Sequence, residues 1–313
     1  MAAHSVFRPG ATALISGGAS GVGFAFATIC RKHGMNLALL DINQESLSKA
    51  LEMLPSKSNE KTETYKMDVT SVQDWQRVRK EVESKFGGVD LLMLNAGAGF
   101  KPETTQSWED ISYFQKTMQT NLFGYINGLA SFLPLVQKST GASAVIMTGS
   151  KQGKVVRQGF RIVLTCVGIT NPPGNPAYNA SKSAVKTLAE HLSHDMKSSH
   201  PNISVHLLIP GWTFTGLSGN GGPVADEEAM KSKKPGAWLP SQVAEYGYKK
   251  MADGKFYIIC PDNDVTEELD QARMTWGAGD WIEGRVALSR WDSQFKDEAA
   301  GWIKKEADKR GKK

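Results

Sequence analysis

Short, uniformly apolar runs alternate with longer amphipathic stretches over most of the chain. Runs at 11–15 (ATALI), 36–40 (NLALL), 64–67, 90–94 (DLLML), 144–148 (AVIMT), 203–209 (ISVHLLI) and 256–260 (FYIIC) have the length and the flanking turn residues of strands. Helical periodicity lies between them, at about 21–34, 44–54, 71–86, 106–136 and 176–198. Strands that are apolar on both faces, each followed by a helix, predict a parallel sheet covered on both sides. Right-handed crossovers then give an α/β doubly wound sheet of seven strands. No internal repeat or linker splits the chain. Residues 1–261 are expected to form one nucleotide-binding and catalytic domain, and 262–313 a helical extension with a basic tail.

Composition narrows the class. With 313 residues, 40% hydrophobic and 22% charged, the chain is neither disordered nor a disulfide mini-protein. No run of 18 apolar residues is present, and the first ten residues have no apolar signal core, so no membrane partner is expected. The net charge of +5 is local, because residues 304–313 hold six basic and two acidic side chains. A nucleic-acid surface would spread that charge over a face, so no nucleic-acid partner is expected either. Cys30, Cys166 and Cys260 are odd in number and match no metal spacing. They read as free thiols of a reducing compartment, the cytoplasm.

The first apolar run ends in Ser16-Gly17-Gly18-Ala19-Ser20-Gly21-Val22-Gly23 and leads into a helix. Glycines at this junction allow a tight turn and let backbone N–H groups approach a pyrophosphate at a helix N-terminus. Asp41 closes the second run, twenty residues after Gly21. A carboxylate there accepts hydrogen bonds from the adenosine ribose hydroxyls and repels a 2′-phosphate. Residues 40–44 contain no Lys or Arg, so NAD(H) is expected over NADP(H). The alternative role of Asp41 is to cap the next helix.

These features, with five more in order, make the chain similar to the short-chain dehydrogenase/reductase family over about residues 10–260. Ser16-Gly17 with Gly21 and Gly23 resembles that family's TGxxxGxG. Asp68-Val69, Asn95-Ala96-Gly97, Asn121, Tyr178-Asn179-Ala180-Ser181-Lys182 and Pro210-Gly211 followed by Thr215 resemble its later motifs. The resemblance implies a Rossmann-type fold. It also implies an NAD(P)-dependent enzyme that interconverts a secondary alcohol and a ketone or aldehyde. Cofactor contacts are then implied for Ser16, Gly17, Ser20, Gly21, Val22, Gly23, Asp41, Asp68, Val69, Asn95, Ala96, Gly97, Tyr178, Lys182, Pro210, Gly211, Thr213 and Thr215. Catalytic roles are implied for Asn121, Ser150, Tyr178 and Lys182, and a homodimer or homotetramer through the helices at 106–136 and 176–198.

The chemistry has its own logic. Tyr178 and Lys182 are four apart on a helix and share one face. A cation beside a phenol is expected to lower its pKa from about 10 toward working pH, as an acid/base requires. Ser150 is expected to hydrogen-bond the substrate oxygen. Trp212 and Phe214 follow the sixth strand at its ligand-binding end and read as an apolar substrate lid. His191 and His194 lack companion ligands and read as solvent-facing, so no metal is expected. Trp276, Trp281, Trp291 and Trp302 are expected to pack the extension onto the body. Two other classes stay open: an epimerase or dehydratase that retains its cofactor, and a non-catalytic nucleotide sensor.

One segment fits nothing around it. Residues 154–168, KVVRQGFRIVLTCVG, separate Ser150 from Tyr178 by 28 positions, and removing them would leave 13, the spacing the resemblance implies. Either the segment is an inserted loop at the mouth of the site, or it is a translated intron. Codon degeneracy permits splice signals at Gly153-Lys154 and Val167-Gly168 with the frame preserved.

Overall fold

A computed structural model describes residues 5–55, 60–104, 107–151, 171–216, 221–262 and 265–312. The segment 154–168 lies outside the described residues. The strands are β1 (Thr12–Ser16), β2 (Asn36–Asp41), β3 (Thr62–Lys66), β4 (Leu91–Leu94), β5 (Ser143–Thr148), β6 (Ile203–Ile209) and β7 (Tyr257–Ile259). They form one parallel sheet in the order β3-β2-β1-β4-β5-β6-β7. The helices are α1 (Gly21–Lys32), α2 (Gln44–Met53), α3 (Val72–Phe86), α4 (Ile111–Met118), α5 (Gly124–Gln137), α6 (Pro176–Ser199), α7 (Asp226–Ser232), α8 (Pro240–Ala252), α9 (Glu267–Ile282) and α10 (Lys296–Arg310). The doubly wound sheet read from the sequence is therefore the fold, and the C-terminal helices complete a single domain.

The apolar runs are strands because both faces of the sheet are buried, and the two-residue period divides each run between two cores. Ala13, Ile15, Leu37, Leu39, Leu91, Met93, Ala144 and Ile146 join one cluster. Leu14, Ala38, Leu40, Leu92, Leu94, Val145 and Met147 join the other. After β3 the chain returns to the far side of β1, so β1 and β4 are neighbours whose following loops diverge. A crevice opens at the carboxyl ends of such a pair.

The helix expected over 106–136 is not continuous. A short 3₁₀ turn (Ser107–Glu109) precedes α4, and a π-helical turn, Gln119–Phe123, separates α4 from α5. The spacing explains the π turn. Tyr113, Thr117, Asn121 and Tyr125 are all at most 2% exposed and succeed one another by four residues. An α-helix has 3.6 residues per turn, so steps of four rotate away from the core. One wider turn restores the line.

Trp276, Trp281 and Trp302 depart from expectation. Trp276 is buried, but against Ala272, Ala299 and Ile303 of α9 and α10, with Trp302 at 5.6 Å between ring centroids. Trp281 is 90% exposed. This cluster joins the extension's own helices, and ties to the body include Glu267 with Tyr246 and Lys250, and Asp270 with Lys151. Among the described residues no helix is long and apolar enough to cross a membrane.

Candidate active site

The glycine turn closes over the end of β1. Gly17 and Gly21 have φ of +63° and +51°, which side chains disfavour. At Gly23 a Cβ would lie 2.2 Å from the Gly17 carbonyl oxygen and 2.8 Å from Asn95 Nδ2, so α1 can start this close only with hydrogen there. The N-termini of α2 and α3 are capped by Asn43 and Ser71 side chains. That of α1 has no side-chain cap from Ser20 and no acid in its first turn. Its first N–H groups and dipole therefore suit an anion.

The flanking residues close around this turn. Asn95 Nδ2 donates to the Ser16 and Gly17 carbonyls at 3.3 and 3.4 Å. Its Oδ1 accepts from Thr148 Oγ1 at 3.1 Å, so one amide ties the ends of β1, β4 and β5. Ser16 Oγ accepts from the N–H groups of Asn95 and Ala96. Asp41 ends β2 and accepts from the N–H groups of Ala19 (3.3 Å) and Asn43 (3.1 Å). Burial pushes its carboxyl up, and those backbone donors offset part of the shift. The cap of α2 is Asn43, so Asp41 is not needed as one. Asp68 holds the N–H of Thr70, and the Val69 carbonyl accepts from Trp75 Nε1. Thr215 reaches the loop from the other side, its Cγ2 3.1 Å from a Cβ built at Gly21.

The second half of the site sits at the start of α6. Asn175 caps that helix by accepting from the Tyr178 N–H at 3.2 Å, and Pro176 fills the first helical position. Tyr178 thus falls in the first turn and Lys182 one turn on, both facing the carboxyl ends of β4 and β5. The Ser150 side chain lies close enough to Tyr178 to draw its phenol's pKa down. Lys182 Nζ donates to the Thr148 carbonyl at 2.9 Å and reaches the Tyr125 hydroxyl at 3.5 Å. It also lies 5.1 Å from the centroid of the Tyr125 ring and 5.9 Å from that of Tyr178. Asn121 is fully buried in the π turn, its Oδ1 accepting from the Ala98 N–H at 2.8 Å and its Nδ2 donating to the Ala98 carbonyl at 2.9 Å. A Cβ built at Gly97 would be 3.2 Å from Asn121 Oδ1 and 3.6 Å from Lys182 Nζ. The loop after β4, the π turn and α6 therefore meet at one point.

Charge behaves differently here from the simplest expectation. Burial pushes the Tyr178 phenol up, and the Ser150 hydrogen bond pulls it only part of the way back. Burial brings the Lys182 ammonium down to about 7. Lys182 is thus largely neutral at the pH where the phenol ionises, and in the protein by itself it does not hold the phenol low. What it provides is a buried amine that takes up and gives a proton near neutrality.

Sequence reasoning did not find Thr148, Tyr125 or Asn175. Tyr125 was accessible in principle, four residues after Asn121 on the same face, and Asn-Pro before Tyr178 is a helix-start signal. Trp212 and Phe214 pack with Val224, Ala229, Ala237 and Leu239 in a small apolar cluster beyond β6. Its edge is tied by the pairing of Thr213 with Trp238. His191 and His194 are solvent-exposed.

Comparison with known proteins fits this picture. Residues 11–223 match the family model described as short chain dehydrogenase. A dehydrogenase/reductase of CLA biosynthesis from Lactiplantibacillus plantarum is 25% identical, covering 85% of this chain and 94% of its own. The 3-ketodihydrosphingosine reductase of Mus musculus is 29% identical, over 84% of this chain and 79% of its own. Among solved structures, a short chain dehydrogenase/reductase from Burkholderia phymatum in complex with NAD superposes with a TM-score of 0.72 at 24% identity. That match covers 90% of this chain and 97% of the other, and it shows the shared fold.

Proposed function

The chain belongs to the short-chain dehydrogenase family and is an NAD(P)-dependent oxidoreductase; from that premise we propose that it interconverts a secondary alcohol and a ketone or aldehyde with NAD(H). The observation that carries the proposal is the meeting of Ser150, Tyr178 and a buried Lys182 at the end of β5, with Lys182 Nζ 5.9 Å from the centroid of the Tyr178 ring and bonded to the Thr148 carbonyl. Two donors that meet at one point fit a carbonyl oxygen, which takes a proton as its carbon takes hydride.

The dinucleotide fits the residues present, as the side-chain-free approach at Gly23 and the uncapped start of α1 indicate. Gly17 to Gly23 would hold the pyrophosphate, Asp41 the adenosine ribose hydroxyls, and Asp68 with Val69 the adenine. Asn95 to Gly97, Lys182, Pro210, Gly211, Thr213 and Thr215 would hold the nicotinamide end. When bound, the cofactor supplies the hydride, and in its oxidised form a cationic ring. In the reducing direction Ser150 donates a hydrogen bond to the substrate oxygen. Tyr178 gives that oxygen a proton, and Lys182 restores the proton through the phenol. Asn121 holds the loop after β4 in place through Ala98. The apolar residues Trp212 and Phe214 support a predominantly apolar substrate. The relative named for 3-ketodihydrosphingosine is named for a ketone, which agrees.

Cofactor choice is the first test. The fixed carboxylate of Asp41 and the lack of a basic residue at 40–44 predict a higher kcat/KM with NAD(H) than with NADP(H). Asp41→Ala should narrow the ratio by about tenfold, the equivalent of about 1.4 kcal/mol. A wild-type preference for NADP(H) contradicts the assignment.

Lys182 gives a second test, on the protein without cofactor. Its folded pKa, about 7, is below its unfolded value near 10.4. Between those values the unfolded chain binds the extra proton, so this group makes stability rise with pH over that window. Below about pH 7 the buried cation destabilises by a constant amount. Calorimetry from pH 6 to 10 should show the melting temperature of wild type gaining on that of Lys182→Met. A constant difference would place the ammonium in a solvated setting instead.

Assembly as a homodimer or homotetramer belongs to the same proposal. Phe123 and Ile126, beside the π turn, are 44% and 36% exposed and suit a helix-to-helix contact between copies. Light scattering at micromolar concentration checks it, and a monomer speaks against it.

A further inference from the structure

Lys151 follows Ser150 directly, and the described geometry gives it a role that the hydride-transfer reading does not use. It is 1% exposed. Its ammonium pairs with the carboxylate of Asp270 on α9, which is also 1% exposed, and lies 4.0 Å from Asp262 Oδ2. Arg273 approaches Asp270 from one helical turn on, at 3.5 Å. Among the described residues, two cations and two carboxylates thus meet in one buried group. Such pairs are seldom the best source of stability, since apolar residues of equal volume often serve as well. What they supply is a fixed geometry.

The geometry bears on Ser150. The pairing of β5 with β6 continues past Thr148, with the Gly149 N–H donating to the Leu208 carbonyl at 2.7 Å and the Lys151 N–H to the Pro210 carbonyl at 2.9 Å. Side chains alternate along an extended strand. Ser150 therefore faces Tyr178, and Lys151 faces the opposite side, toward β7 and α9. Holding the Lys151 side chain sets the rotation of this strand end, and with it the Ser150 hydroxyl. Asp262 extends the hold, because its Oδ2 also accepts from the Trp212 N–H at 3.4 Å. At Gly211 a Cβ would come within 2.8 Å of Asp262 Oδ2 and 3.0 Å of Lys151 Cε, so the loop after β6 lies directly on the pair.

We propose that Asp270 of the C-terminal extension, acting through Lys151 and together with Asp262, is a positioning residue that sets both the Ser150 hydroxyl and the Pro210–Trp212 segment. The extension is then a part of the active-site frame, although it makes none of the direct contacts proposed for catalysis. The kinetic part of this inference rests on the oxidoreductase reading; the structural part does not.

Two measurements test it on the full chain. The first is amide hydrogen exchange in Asp270→Asn and in the double variant Lys151→Met/Asp270→Leu, which removes both partners and leaves no buried ion of the pair behind. Exchange is expected to accelerate about tenfold or more in the peptides carrying Gly149–Lys151 and Gly211–Phe214, with the glycine turn at 16–23 unchanged. Acceleration confined to α9, or wild-type rates in the folded double variant, overturns the inference. The second is steady-state kinetics. Asp270→Asn should lower kcat by about 10- to 100-fold, with a smaller rise in the cofactor KM as the Pro210–Trp212 segment loosens. In a Ser150→Ala background the same substitution should lower kcat by less than about threefold, because the group it positions is gone. Full multiplication of the two effects would mean a general structural role and would sink the proposal. A wild type without turnover beside the expected exchange pattern counts against the hydride-transfer reading and leaves the positioning role standing.

Discussion

Tyr178→Phe is expected to lower turnover by about 10³-fold or more while leaving the Kd for NADH within about threefold. The phenylalanine ring keeps the packing at the start of α6, where Asn175 accepts from the backbone N–H of residue 178 and not from the side chain. Only the hydroxyl is lost, and with it the proton carrier beside Ser150. General acid catalysis contributes about 10² to 10⁴ in rate. Loss in kcat without loss in binding is the signature of an interaction made in the transition state. Fluorescence titration with NADH gives the binding term and single-turnover kinetics the chemical one. Activity retained within about tenfold would take the proton-donor role from Tyr178.

Gly23→Ala is expected to have an effect of similar size by the opposite route. The new methyl would lie 2.2 Å from the Gly17 carbonyl oxygen, a distance that real contacts do not reach, so backbone must move. The Asn95 amide, 2.8 Å from the same point, holds Gly17 and Thr148 and would be displaced with it. The Kd for NADH should rise by about 100-fold or more, with a drop in melting temperature of several degrees from the strained turn. At saturating cofactor much of kcat should return, since Tyr178, Lys182 and Ser150 stand on other elements. Unchanged NADH affinity would show that the turn at 16–23 is not where the pyrophosphate binds.

The parts of this molecule that can be read in one dimension are those set by local spacing. The strands follow from apolar runs buried on both faces, and the glycine turn from its place between the first run and a helix. Tyr178 and Lys182 share a face through a four-residue separation. The π turn at 119–123 was not readable, because it answers to a drift in spacing among Tyr113, Thr117, Asn121 and Tyr125 that appears only once their common inward direction is known. Lys151 is harder still. A lysine beside a strand end reads as a surface residue, and its partners Asp262 and Asp270 lie more than 100 residues away. The protonation of the site escapes the sequence for a related reason: the sequence places an amine near a phenol but does not say that both are buried, and burial reverses the direction of the phenol's shift. The tryptophans of the extension show the same limit. Aromatic count does not tell Trp276, at 3% exposure, from Trp281, at 90%.

The central claim is that this site moves a hydride between a nicotinamide and a carbonyl carbon, with Tyr178 handling the proton at the oxygen. Its most direct test is turnover of a panel of apolar ketones and aldehydes with NADH that carries deuterium at both C4 positions, followed by mass spectrometry of the products. The account predicts an alcohol bearing one deuterium on its carbinol carbon and one equivalent of NAD⁺ for each molecule formed, with both lost in Tyr178→Phe. Product without deuterium, product without net oxidation of NADH as an epimerase or dehydratase would give, or no product from any member of the panel would contradict it.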